Sequence, residues 1–450
     1  MTLPIALLGL GAVIAFAIRK RVQYAGPFTV GCLLAAIVLV VSFDAGTTTE
    51  VLGLQLRLSE LAQLGALMLL GSLISLALTV WIDEPAYNFF PTALAAGAAV
   101  LAVLTLTAPI AIYGALILAL LIPVGSFTFQ VHRNRSYEAA FRHFSFVLLG
   151  GCLGLSALAL SGSLPRDQPP ATFVLLVAII VVAFALKLAA IPFHTHAALL
   201  AMEVPASALA LYFGVLVPTT FIAFAEILTL SGLLPAIVQI SKVQDLLLAL
   251  GTASALGGAF LATGSTELRR VTAYSVIANL GQALVGIATL SGPGIVGAIA
   301  IVLVTGAGAT QQLLAAGAIE RRSGADQPSA TVAPLAALAF VIGGFAMIGA
   351  PPLVAFPGHF FVELIAFSYS GVLGAALVLS TLGILIAQLR AAIAIFRVAP
   401  DHWRVESRPV AGVVGTLLFL ALLVGGMQPD GFLRPIAAFA DEFIRALRPL

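Results

Sequence analysis

A chain of 450 residues with 61% hydrophobic and only 9% charged residues reads as a polytopic membrane protein, since soluble domains carry about 25% charged residues. Its mean hydropathy of +1.13 agrees. The net charge of +2 is too small to imply nucleic acid or an acidic partner, and Cys32 and Cys152, both in apolar segments, offer neither a disulfide framework nor metal-ligand spacing.

Hydropathy predicts an all-α chain of about fourteen transmembrane helices. In chain order the spans fall near 2–18, 25–43, 59–82, 89–106, 109–130, 140–161 and 172–195. They continue near 205–229, 243–263, 271–291, 293–318, 332–367 (interrupted), 371–397 and 409–427. No A-x-A-like cleavage site follows the first stretch, which therefore reads as a retained helix. A short amphipathic helix is expected near 434–447. With only short polar loops between spans, any chemistry must lie inside the bilayer or on a partner.

Basic residues orient the spans. Arg19, Lys20 and Arg21 follow the first; His132, Arg133, Arg135 and Arg142 surround the loop after the fifth; Arg269 and Arg270 follow the ninth. Arg321 and Arg322 follow the eleventh, and Arg397, Arg404 and Arg408 the thirteenth. These loops share one side, so the positive-inside rule puts both termini on the outer face of a bacterial-type cell membrane.

Lys187 stands in the apolar run from Phe173 to Phe193, roughly at the depth of the membrane midplane at ~1.5 Å per residue. A charge there costs about 2.5–3.5 kcal/mol or more, so such residues usually line an ion or substrate path. Pro192 follows and invites a helix break. Pro351 and Pro352, with Pro357 beyond, break span twelve in the same way. The two broken helices are an odd number of spans apart and so cross in opposite directions, as inverted repeats require. The implied organisation is helices 1–3 over 1–88, a five-helix repeat over 89–229, its inverted partner over 243–397, and a final helix with its appendage over 409–450.

Four segments together resemble a known family. FALKLAAIPFHTHAALLAMEVPASALALYFG fits a lysine followed by a Pro-x-His-Thr break and a Glu-Ala-Pro-like turn, through Lys187, Pro192, His194, Thr195, Glu203 and Pro205. RRVTAYSVIANLGQALVGI (269–287), IGAPPLVAFPGHFFVE (348–363) and SYEAAFRHF (136–144) follow in the same combination. This pattern resembles the antiporter-like membrane subunits of respiratory complex I, related hydrogenases and multisubunit cation/proton antiporters. The resemblance covers roughly 110–400. It implies fourteen helices, two inverted five-helix units and a chain of intramembrane charges that moves protons or sodium. Redox chemistry would lie in other subunits, with no cofactor in this chain, and homologous membrane subunits and a redox module would be its partners beside the lipid bilayer.

Several family positions are altered. Leu118 stands where the resemblance implies the glutamate partner of Lys187, Pro218 where it implies a lysine, and Thr305 and Thr310 where it implies a histidine and a lysine. His359 takes the place of the span-twelve lysine or glutamate. The expected relay is therefore reduced to Lys187, His194, His359 and Glu363. His194, seven residues beyond Lys187, is placed on nearly the same helix face. His359 and Glu363 are neighbours at i, i+4. Each has a structural alternative, as polar groups bonding backbone freed at the breaks, and that alternative is preferred for His196. Asn279, Gln282, Gln311 and Gln312 would form either a hydrated polar axis or interhelical hydrogen bonds. Glu138 and Arg142 read as a surface pair, Glu203 as a cap before span eight, and Asp83 and Glu84 as a solvated turn.

These residues support a proton- or sodium-translocating subunit of a redox complex, without redox chemistry of its own. A subunit that has lost conduction and serves as a spacer is the first alternative, and a stand-alone secondary transporter the second. A self-contained enzyme is disfavoured, because no nucleophile–base pair or metal cluster appears.

Overall fold

The computed structural model describes residues 2–83, 86–128, 135–164, 170–239, 241–323, 329–331, 333–397 and 409–448. Glu84, His132, Arg133, Arg404 and Arg408 lie outside the described residues. Two helices, α1 (Thr2–Ile18) and α2 (Val22–Ser42), lead into an antiparallel hairpin of β1 (Thr48–Val51) and β2 (Leu54–Arg57). The all-α expectation missed this hairpin. β-Branched Thr48, Thr49 and Val51 favour strand, and Leu52 and Gly53, both at positive φ (53° and 75°), close the two-residue turn that such hairpins prefer.

Beyond it run α3 (Glu60–Asp83), α4 (Phe89–Thr105), α5 (Pro109–Leu121), the single turn α6 (Val124–Phe127), α7 (Ser136–Ser163), α8 (Pro170–Lys187) and α9 (Thr195–Glu203). Next, α10 (Ala206–Leu211) continues through a π-helical turn (Tyr212–Leu216) into α11 (Val217–Leu230) as one span. Pro218 has no N–H to donate, and the widened turn precedes it. The remainder comprises α12 (Leu234–Gln239), α13 (Lys242–Gly264), α14 (Leu268–Ala288), α15 (Gly292–Ser323), α16 (Pro334–Met347), α17 (Ala355–Tyr369), α18 (Gly371–Ile395), α19 (Val410–Met427) and α20 (Asp430–Ala446).

Among the described residues, ten helices are long and apolar enough to cross a membrane. Four shorter apolar helices, Thr2–Ile18, Phe89–Thr105, Ala171–Lys187 and Pro334–Met347, stand at the other expected positions. The chain is a multi-pass helical membrane protein.

Three spans form its centre: Ala206–Leu230 and Leu268–Ala288 are buried through their apolar stretches, with Glu226, Leu230 and Arg270 partly exposed, and Gly292–Ser323 is nearly as buried. Such burial needs small residues where backbones meet. A Cβ at Gly251 of α13 would lie 2.9 Å from the Gly281 carbonyl of α14, so only glycine permits that approach. The polar side chains of α14 and α15 thereby face protein instead of lipid.

The two breaks are built alike. Lys187 and Met347 close α8 and α16. Two residues on, Ala189 (φ 54°) and Gly349 (φ 68°) turn left-handed. Ala190 N then donates to Ala185 O at 3.0 Å, and Ala350 N to Phe345 O at 3.1 Å. Phe193 N donates to Ala190 O and Leu353 N to Ala350 O at 2.6 and 2.9 Å, and the Ile191–Pro192 and Pro351–Pro352 peptides are cis. Pro357, expected among the break residues, lies instead in the first turn of α17, where a missing N–H removes no helical bond.

On the face that carries the basic residues, Asp83 is no solvated turn: it is buried between Arg321 and Arg322, at 2.8 and 3.2 Å, and ties α3 to α15. Arg269 clamps Glu320 and donates to Val204 O at 2.8 Å. Glu203 ends α9 and makes no side-chain cap to α10, whose N-cap is Pro205. Glu138 sits between Arg135 and Arg142 near the solvent-exposed start of α7 and pairs with both, at 2.7 and 2.6 Å. On the opposite face α20 begins at Asp430, earlier than expected, and buries Phe432, Ile436, Phe439 and Phe443 against the bundle.

Candidate relay site

Lys187 is 1% exposed and ends α8 beside the first break. Its Nζ donates to Tyr113 Oη at 2.6 Å and lies 4.4 Å from that ring's centroid. Tyr113 Oη in turn donates to the Gly150 carbonyl of α7. Glycine at 150 gives this pair its room, because a Cβ there would meet Ala183 O at 2.8 Å and Lys187 Nζ at 2.9 Å and force one of them to shift. The expected partner position on α5 was Leu118. It is 64% exposed, five residues and therefore about 140° around the helix from Tyr113. Tyrosine at 113 occupies the place facing the lysine, as a neutral acceptor with a π face instead of a carboxylate.

A buried aromatic–imidazole cluster adjoins this pair. Tyr212 Oη, in the π turn, lies 3.3 Å from the Lys187 carbonyl and 3.3 Å from His196 Nε2. His196 Nδ1 donates to Phe193 O at 3.1 Å, and the single Tyr212 hydroxyl proton is shared between the Lys187 carbonyl and His196 Nε2. His143 packs edge-on to Tyr212 at 5.0 Å between centroids and 5.8 Å from His196. Its Nε2 donates to Leu120 O at 3.0 Å, while its buried Nδ1 has no partner.

His194 is elsewhere. The helical register that put it on the Lys187 face ends with α8 at Lys187, so the seven-residue phasing does not apply across the break. Half-buried at the start of α9, His194 stands 6.3 Å from the Tyr274 ring, and its Nδ1 is unpartnered.

The second cluster lies at the other break. His359 Nδ1 bonds Gln282 Oε1 at 3.0 Å, and its buried Nε2 has no partner. Gln282 Nε2 donates to Thr381 Oγ1 at 3.1 Å, and Thr381 donates to half-buried Glu363 at 2.8 Å. His359 and Glu363 are thus joined through α14 and α18 as well as sharing a face of α17.

Between the clusters, Asn279 donates to Thr305 Oγ1 at 2.9 Å and Met347 O at 2.7 Å. Gln312 and Gln388 bond reciprocally at 2.7 and 3.3 Å, and Gln388 also donates to Ser275. Gln311 donates to Ala411 O at 2.9 Å. Thr310 bonds its own helix at Gly306 O, against which Pro218 packs. These amides are interhelical ties. Lys187 and His359 belong to separate hydrogen-bonded groups, linked through scaffold: Ser254 accepts from Ile191 N in the first break, and Ser380 donates to the adjoining Ala255 O.

Tyr113, His143 and Tyr212 escaped the sequence reading. The available signal was a hydroxyl or imidazole within an otherwise apolar span, and nothing in spacing distinguished these from ordinary core residues.

Two broken helices meeting at a polar centre, enclosed by apolar helices, define the class: a multi-pass membrane protein with paired discontinuous helices. The family model described as NADH:quinone oxidoreductase/Mrp antiporter, transmembrane, matches residues 144–385, and the chain belongs to that family. NADH-quinone oxidoreductase subunit 13 of Thermus thermophilus is 30% identical over 219 residues, 46% of this chain and 45% of that protein. The chain thus spans about half the length of that curated relative. Respiratory complex I from Thermus thermophilus contains a chain of the same fold, with TM-score 0.79, 21% identity, and coverage of 98% of this chain and 100% of that one. An archaeal membrane-bound sulfane sulfur reductase gives TM-score 0.84 at 18% identity, covering 99% of both chains.

Proposed function

We propose that this chain is an antiporter-like membrane subunit of an energy-converting redox complex, coupling electron transfer elsewhere in the assembly to proton translocation through its interior. The observation that carries the reading is Lys187, buried at a helix break with its ammonium on Tyr113 and its carbonyl beside the Tyr212–His196–His143 cluster. An intramembrane lysine is costly, and a break supplies the polar surroundings in which its charge can change. Lys187 holds the proton, the imidazole cluster receives it across the break, and Gln282, His359, Thr381 and Glu363 serve the second half. Homologous membrane subunits and a redox module are its partners, and the positive-inside rule puts both termini outside. The two repeats are those drawn from the sequence, 89–229 and 243–397.

Two observations favour a spacer that has lost conduction: Met347 holds the second break's counterpart of Lys187, and Lys187 itself has no carboxylate among its hydrogen-bond partners. The test begins with a tagged chain purified from native membranes. The proposal expects iron–sulfur-containing subunits to co-purify and the reconstituted complex to take up protons during electron transfer. A chain that purifies alone overturns it.

A further inference from the structure

Glu226, itself partly exposed, lies near the hairpin-side end of the span Ala206–Leu230, and the relay above makes no use of it. It lines a cavity of about 20 Å³, room for one water, together with Arg57, Thr107, Leu104, Leu106 and Glu442. The other side of Arg57 and Glu442 faces a cleft of about 360 Å³, bordered by the exposed loop residues Ala45 and Gly46 and by Arg445. Arg57 and Glu442 meet in a two-pronged pair, Nη2–Oε2 at 2.8 Å and Nη1–Oε1 at 3.2 Å. They therefore form a shared wall between the outer cleft and the inner cavity.

We propose that Glu226 is a proton-binding site closed off from the hairpin surface by the Arg57–Glu442 pair. The inference deepens the proton-translocating reading and rests on it. Arg57 and Glu442 are the charged groups that line the cavity with Glu226; leucines make up much of the rest. Among the described residues no three carboxylate, imidazole or thiolate side chains converge there to hold a metal cation, and Arg57 already takes Glu442, whereas a proton needs only the Glu226 carboxylate. While Arg57 is committed to Glu442, an ionised Glu226 would be a carboxylate in a water-poor, leucine-lined cavity without its own counter-charge, so it keeps its proton. When the guanidinium swings to Glu226, the proton passes to water in the outer cleft. Glu226 is then ionised and paired, and Glu442 faces solvent.

The test is infrared difference spectroscopy of the intact reconstituted complex at neutral pH, comparing wild type with Glu226→Gln. A protonated-carboxyl band must be lost in that variant. It must also vanish in Glu442→Gln, which frees Arg57 for Glu226, and survive in Arg57→Gln. The opposite responses of the last two variants separate gating from misfolding of α20. An unchanged carboxyl band in Glu226→Gln, or a band unaffected by Glu442→Gln, overturns the proposal. The measurement needs no turnover: a non-conducting complex still returns the band, and persisting proton uptake with no such band leaves the translocating reading intact.

Discussion

Gly150→Ala and Gly308→Ala form a matched pair of perturbations, because the two breaks repeat one geometry. At Gly150 the added methyl would stand 2.8 Å from Ala183 O and 2.9 Å from Lys187 Nζ; at Gly308 it would stand 2.9 Å from Gly343 O and 2.8 Å from Met347 Cγ. Ordinary contact starts at 3.4 Å, so the carbonyls must retreat by about 0.6 Å at Gly150 and about 0.5 Å at Gly308, an overpacking that costs roughly 1–3 kcal/mol. The steric burden is the same in both halves. The consequence differs. Tyr113 is held to α7 through Gly150 O, so a retreat of α8 stretches the 2.6 Å Lys187–Tyr113 bond to roughly 3.2 Å, the long limit of an N–H···O bond. No charged group is displaced at Gly308. Thermal unfolding of the purified complex should fall equally for both variants. Redox-driven proton uptake should drop severalfold for Gly150→Ala alone. Equal losses of uptake would mean that packing at the breaks, and not the lysine, sets transport. No loss in either would remove Lys187 from the path.

Other substitutions probe the scaffold and its charges. Gln312→Leu or Gln388→Leu leaves a buried amide facing apolar surroundings and should cost about 1–3 kcal/mol in thermal or denaturant unfolding, whereas the double variant should recover much of the loss. Arg269→Met strands Glu320 and the Val204 carbonyl in a largely buried site and should destabilise by about 3–5 kcal/mol, seen as reduced assembly in native gels. Arg142→Ala touches only an exposed pair and should shift unfolding by less than about 1 kcal/mol.

Hydropathy located the spans because apolar length is the dominant constraint in a bilayer, and both breaks were legible because proline cannot continue a helix. Residues whose importance depends on a partner from another helix were less visible. Tyr113 became the counterpart of Lys187 only when α5, α7 and α8 packed, while Leu118, the position picked out in sequence, turned toward lipid. His194 was misplaced for a related reason, since periodicity was carried through a break that destroys it. Asp83 looked like an interfacial turn until Arg321 and Arg322, far along the chain, closed on it. The hairpin was hidden by its brevity and by the surrounding apolar sequence, although Thr48, Thr49 and Val51 around a Leu-Gly turn carry its signal.

The most direct test of the account compares proton uptake per electron for the wild-type complex and Lys187→Met, reconstituted in liposomes with assembly verified as equal. Methionine is the residue that the second break carries at the same place, so the helix end should fold and pack unchanged. The account predicts that uptake per electron falls while electron transfer and assembly persist. Unchanged uptake would contradict it and leave the chain a spacer.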